Sequence, residues 1–409
     1  MPTLRNITCL ATCSSGKGPS DADVIENAAL VWTGDRIQWV GPEADLPEQY
    51  RGEFPMDAAG ALVVPGLIDC HTHLAFGGWR ADEFELRSRG ATYLDIARQG
   101  GGILSTVRET RRTSEDDLLQ RVRDFGVHML RLGVTTVECK SGYGLNLDDE
   151  LKLLRVYRRL AQEGPINIVA TLLAAHTVPE EFRDDRNGYV DEICSRMIPH
   201  VAAERLAEFC DVFVEESAFS IDEGRRVLAA AAEHGLRAKL HADQLTDGGG
   251  AALAAEMQAA SADHLECISD AGVRALSKAE VVAVTLPIAS LYLRQRPLDA
   301  RRLIDAGARV AVATDFNPGS APSYHLPLAM TLACIMNGLT PAEALRAATI
   351  NAAAAINREH LLGSLERGKQ ADFVLVEAGS INEWLYHFRP NSVLNTFIRG
   401  RIVYEARRN

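Results

Sequence analysis

A chain of 409 residues with 47% hydrophobic side chains exceeds one small domain and suits a barrel of about 250–300 residues with an accessory unit. Its formal charge of −12 argues against nucleic acid or an anionic membrane surface as partner, because both require basic patches. Eight scattered cysteines without a CxxC pair fit a reducing compartment, where thiols serve as small core residues. With no run of about 18 apolar residues and no signal-like apolar core near the start, the expectation is a cytoplasmic protein.

In chain order, the first 60 residues lack helical periodicity. NAALVWTGDRIQWVG, with its Thr-Gly-Asp turn, predicts short antiparallel strands. The same texture returns near the end in ADFVLVE and SVLNTFIRGRIVYE, where Arg399-Gly400-Arg401 turns between two β-rich arms. Residues 1–61 and 365–409 are therefore expected to build one small β-sandwich domain together, leaving 62–364 as a separate catalytic domain.

The middle alternates. LVVPGLIDCHTH reads as the first strand, followed by a helix over SEDDLLQRVRDFGVHMLRLG with Ser114 as N-cap and Gly133 past its end. Further strands are predicted at VTTVECKS, INIVATLLAAH, DVFVEES, LRAKLHAD, SADHLEC, VVAVTLP and ARVAVATDFNPGS, each with a helical segment after it. Eight strand-then-helix units predict an α/β chain with a closed (β/α)8 barrel. An open doubly wound sheet is the alternative, weakened by the lack of GxGxxG after the first strand. QGGGI and DGGGA lack P-loop and dinucleotide spacing and read as tight loops, and the Ala-rich RAATINAAAAI reads as one packed helix.

A barrel of this kind places its active site at the C-terminal strand ends. Those ends carry Asp69, His71 and His73, then Glu138 and Lys140, His176, Glu215 and Glu216, His241 and Asp243, His264, Pro287 and Asp315. Five of the eleven histidines fall there. His71 and His73, two apart on an extended chain, project to the same side and could share a cation with His241 and Asp315. Cys70 points the other way, into packing. Three imidazoles and one carboxylate suit one divalent metal, Zn or Fe, with room for a water. A metal-activated water is nucleophilic at neutral pH; Asp315 can take its proton, and His264 can hydrogen-bond a substrate oxygen as charge develops. Lys140 lies at the end of strand two, and strand four ends in Glu215 and Glu216.

PGLIDCHTH, KLHAD and ATDFNPGS resemble the amidohydrolase superfamily. The longer runs GGWRADEFELRSRGATYLDIARQGGGI, ECKSGYGL, LLAAHTVP and TDFNPGSAPS are similar to the imidazolonepropionase family of histidine degradation, and the similarity spans nearly the whole chain. The resemblance implies hydrolysis of 4-imidazolone-5-propanoate to N-formimidoyl-L-glutamate, and a homodimer. It places His176 and Tyr143 on the substrate, with Asn317, Gly319 and Ser320 as further contacts. A substrate with a propionate tail calls for a fixed cation, and Arg80 is the candidate because a guanidinium matches a carboxylate at two points. Gln244 stands where related deaminases carry a proton-shuttling Glu. An amide cannot titrate, so this position favours ring recognition and counts against a deaminase. Another cyclic amidohydrolase or a deaminase on the same barrel, and a metal-binding barrel without catalysis, are the competing readings.

Overall fold

The computed structural model describes residues 1–51, 55–90 and 100–407. Two eight-stranded sheets organise it. The strands of the first are Leu67–Thr72, Val134–Lys140, Asn167–Ala175, Phe209–Val214, Arg237–Ala242, Ser261–His264, Val282–Thr285 and Val310–Val312. They follow one another in sequence order, each parallel to the next. Parallel neighbours need a crossover, and the helices between them supply it. Closure comes from beyond the last strand: His73 N donates to Phe316 O at 2.9 Å, and Asp315 N to His71 O at 3.1 Å. Both contacts run through predicted site residues, so sealing the barrel also draws the two ends of the site together.

Local signals explain the helices. Ser114 accepts from Asp117 N at the head of Glu115–Arg131, with three acids in the first turn where the helix dipole favours them, and Gly133 past its end sits at φ +83°. Asn146 caps Leu147–Glu163 in the same way. The segment 186–203 is helical but holds a π turn at Ile193–Met197. RAATINAAAAI forms parts of two short helices, Pro341–Ala347 and Ile350–Ala355, rather than one.

The second sheet joins both termini: Thr3–Ala11, Val24–Thr33, Arg36–Pro42, Met56–Asp57, Leu62–Pro65, Phe373–Val376, Val393–Ile398 and Arg401–Glu405. It hydrogen-bonds as one continuous sheet over its own core, where Trp32 meets Phe373 and Phe397 edge-on at 5.2 and 5.9 Å. The turn at Arg399 and Gly400 (φ +52° and +70°) links the last two strands, as the sequence indicates.

One expectation needs correcting. LVVPGLI is not a single barrel strand: Leu62–Pro65 pairs with Thr3–Ala11 and Phe373–Val376 in the terminal sheet, and the barrel strand begins at Leu67. Gly66 is the break, and a Cβ there would collide with Thr135. An apolar run buried in both sheets carries no periodicity that marks the crossing.

Candidate metal centre and substrate cavity

His71 and His73 close the first barrel strand with buried rings 5.3 Å apart. His241, from strand five, lies 4.6 Å from His71 and 5.4 Å from His73, ring to ring. Nε2 of His241 stands 3.4 Å from Nε2 of His73. Oδ1 of Asp315 is 3.5 Å from Nε2 of His71 and 3.4 Å from Nε2 of His73. Nε2 of His71 is buried with no hydrogen-bond partner. Buried lone pairs do not face one another without something positive between them, so these atoms fit a divalent cation. His71, His73 and Asp315 form one group close enough to hold an ion, and His71, His241 and His264 form another. Asp315 at φ +56° and His264 at φ +79° both adopt the left-handed conformation that costs a residue with a Cβ.

The other face of the histidines is tied down. Nδ1 of His71 lies 2.6 Å from Oδ2 of Asp263, and Nδ1 of His241 lies 3.0 Å from Oδ1 of Asp211. Such bonds fix the tautomer and turn Nε2 towards the cluster. Lys140 Nζ sits between these acids, 2.7 Å from Asp211 Oδ2 and 2.9 Å from Glu138 Oε1, and 3.7 Å from Asp263 Oδ2. Burial works against its charge, yet the three acids outweigh burial and hold its pKa above the ordinary value. A lysine kept as ammonium is not free to be carbamylated, in keeping with one metal.

Charge follows the same logic. For Asp315 burial alone would raise the pKa, but the imidazoles of His71 and His73 beside its carboxylate outweigh burial and hold it well below the usual carboxylate range. Burial pushes His73 and His241 down, so both are neutral and able to ligate. His176 is pushed down to about 3 by burial and by His73; its ring stacks on His73 at 5.2 Å, with Nδ1 3.0 Å from Gly142 O. Burial, then the nearby Asp315, raises the Tyr143 phenol. That phenol stays a neutral hydrogen-bonding group.

All nine predicted catalytic and substrate-binding positions (Asp315, His264, Arg80, Tyr143, His176, Gln244, Asn317, Gly319 and Ser320) border one cavity of about 660 Å³. Asn317 is spent on its own loop: Oδ1 accepts from the backbone N of Gly319 and of Ser320, both at 2.8 Å, and Nδ2 donates to Asp315 O at 2.6 Å. It therefore shapes the loop that brings Ser320 Oγ to 3.4 Å from Asp315 Oδ2. Glu215 binds Leu245 N at 2.8 Å and so steadies the loop of Gln244, while Glu216 is exposed. Asp69 bonds Thr314 N and Oγ1 at the barrel closure. The glycine-rich loops already meet acids of their own: Gly102 N donates to Glu83 Oε1 at 2.7 Å, and Gly250 N to Asp243 Oδ1 at 2.8 Å. Neither offers a phosphate cradle. Tyr93 and the rest of the quoted run over 91–99 lie outside the described residues.

The sequence did not single out Asp211, Asp263, Arg87 or Tyr292. Asp211 had a faint signal as an acid within the otherwise apolar strand FCDVFV; Asp263 stands beside His264 in SADH, and the cavity-lining pair had no signal.

The Amidohydrolase family model matches residues 62–403. Among curated proteins, "Imidazolonepropionase" of Anaeromyxobacter sp. (strain K) is 48% identical over 408 residues, covering 98% of this chain and 96% of that protein. "Imidazolonepropionase" of Geobacillus thermodenitrificans is 47% identical over 388 residues, covering 94% and 92%. Among solved structures, a mutant of atrazine chlorohydrolase TrzN from Arthrobacter aurescens TC1, complexed with zinc and atraton, superposes with a TM-score of 0.78 at 17% identity over 99% of this chain and 95% of that one. E. coli guanine deaminase gives 0.73 at 16% identity, covering 99% of each chain. At such identities the structural likeness speaks for the fold, whereas the sequence relatives speak for descent: the chain belongs to the amidohydrolase family and, within it, to the imidazolonepropionases.

Proposed function

We propose that the chain hydrolyses the ring C–N bond of 4-imidazolone-5-propanoate, giving N-formimidoyl-L-glutamate. One observation carries the reading: Asp315 and the buried Nε2 atoms of His71, His73 and His241 converge at the floor of a cavity whose wall holds Arg80. These four residues are assigned as the ligands of one divalent ion, zinc or iron, since the same donors serve both. When bound, the ion supplies the Lewis acidity that makes water nucleophilic at neutral pH.

The rest is done by the chain's own side chains. Asp315, held ionised by His71 and His73, takes the proton of the attacking water and delivers it to the leaving ring nitrogen. Water thus supplies hydroxide to the carbonyl carbon and a proton to the nitrogen as the C–N bond breaks. His264 faces the same cavity and steadies the carbonyl oxygen as it gains charge. Tyr143 and His176 lie tilted against one another at 5.5 Å; the phenol offers the ring a neutral donor, His176, with its Nδ1–H given to Gly142 O, offers Nε2 as an acceptor, and Gln244 reads the ring without taking a proton. Ser320 and the backbone at Gly319 complete the far wall, with Asn317 holding them in place. Arg80 meets the propionate.

The test adds freshly made imidazolone propionate, generated with urocanase, and follows loss of ring absorbance. Turnover matched to metal content is expected; an active, metal-loaded preparation of a known imidazolonepropionase beside an inert sample of this loaded chain would sink the reading. Elemental analysis decides between zinc and iron. We further assign the chain to the cytoplasm, a reading supported by its eight free cysteines. We assign it to a homodimer, which light scattering checks, and to two units divided near residues 62 and 365.

A further inference from the structure

We propose that Arg87, together with Arg80, forms a two-arginine site for the acidic tail of the substrate, and that Arg87 supplies the charge which selects an anion over a neutral group. This rests on the function proposed above and extends it to a residue with no assigned part in the reaction.

Arg80 is largely neutralised within the chain. Its Nε and Nη2 both bond Oε2 of Glu83, at 2.9 and 2.6 Å. Arg87 lies seven residues on, two helical turns along Ala81–Ser88, and so on the same face. Its Nη2 donates to Gly319 O at 2.8 Å, and its guanidinium sits over the Tyr292 ring at 5.1 Å. Among the described residues no carboxylate forms an ion pair with it, and its Nε is buried without a hydrogen-bond partner. Glu83 feels both arginines. Two guanidiniums against one carboxylate leave a positive charge at the cavity wall.

An uncompensated cation with a buried, unused N–H is costly unless a ligand answers it. Both arginines meet the loop at Gly319: Arg87 through its carbonyl, and Arg80 by packing where a Cβ would otherwise be. That loop leads back through Asn317 to Asp315, so a carboxylate held here has its attached ring directed at the metal centre. Tyr292 backs the Arg87 plane and keeps the fork open to the cavity.

The test compares Arg87→Met and Arg87→Lys with wild type. In steady-state hydrolysis of imidazolone propionate, Arg87→Met should raise KM about 30-fold or more while kcat changes far less, as expected for a lost charge-assisted contact made in ground and transition state alike. Arg87→Lys keeps the charge but not the fork, and should fall between. Calorimetry with 3-(imidazol-4-yl)propanoate and its propanamide reads the site without turnover: wild type should prefer the acid about 10-fold or more, and Arg87→Met should lose that preference. An inactive wild type that still prefers the acid would fault the proposed function and leave the site standing. No preference in wild type, or an undiminished preference in Arg87→Met, overturns the site. Should Arg87→Met fail to fold by circular dichroism, Arg87→Lys decides, and an acid preference equal to wild type overturns the fork.

Discussion

Asp263 Oδ2 stands 2.6 Å from Nδ1 of His71 and 3.7 Å from Nζ of Lys140. One carboxylate thus orients a candidate ligand from strand one and belongs to the buried charge network of strand two. Burial resists protonation of His71, but Asp263 and Asp315 prevail and push it up to about 9. A cation seated at Nε2 must compete with that proton. Replacing Asp263 by Asn leaves His71 in place while loosening its tautomer and weakening its basicity. Metal affinity is expected to fall about 10- to 100-fold. Titration with a competing chelator measures it, and excess metal should restore turnover; unchanged affinity would refute the orienting role.

Asp315 is held ionised between His71 and His73, which equips it to receive a proton and also to bind the ion. Asp315→Asn separates these from the remainder of the site. Turnover should drop about 100- to 10,000-fold, the range of a lost general base, and chelation of the wild type should abolish it outright. Metal content distinguishes the parts played: an Asn variant that keeps its metal yet loses turnover assigns the proton to Asp315, whereas full activity in the variant would remove Asp315 from the mechanism.

What the sequence made legible is what local order controls. His71 and His73 fall two apart on one strand, and His241, His264 and Asp315 follow as later strand ends, so strand order alone brings them to one rim. Asp211 and Asp263 were missed because their meaning depends on lateral register. Asp263 pairs beside His241 across strands five and six yet bonds His71 on strand one, five positions back around the barrel, which no spacing in the chain reveals. Arg87 carries no signal in the sequence, because its place depends on the Gly319 loop, whose carbonyl it meets from a distant part of the chain. Gly66 was passed over because the apolar run on its two sides enters two different sheets.

Gly319 offers a test of the tail site that alters no charge. A Cβ there would collide with Nη1 of Arg80, while the carbonyl that Arg87 uses would remain. Gly319→Ala is expected to push the Arg80 guanidinium aside, raising KM for imidazolone propionate about 10-fold or more with metal content unchanged. The displacement is confined to a side-chain tip, so the melting temperature should move little. An unaltered KM would mean that Arg80 holds no part of the substrate.

Asp372 supplies a pH test far from the metal. Its carboxylate takes Arg399 N at 2.7 Å, Gln370 Nε2 at 2.9 Å and Asn167 Nδ2 at 3.1 Å, and its carbonyl takes Gly66 N at 2.9 Å. It therefore joins the terminal sheet to barrel strand three. Burial pushes its pKa up to about 6, with the three donors pulling back; unfolded, an aspartate titrates near 3.9. The folded state binds the proton more tightly, so this group's contribution is full below about pH 4 and is lost as pH rises to about 6. Between pH 4.5 and 7.5 the stability of wild type relative to Asp372→Asn should therefore fall by about 2 kcal/mol, since the amide does not titrate. Denaturant unfolding of both proteins at the two pH values measures the difference. A constant gap would show that Asp372 is ionised throughout, its three donors outweighing its burial.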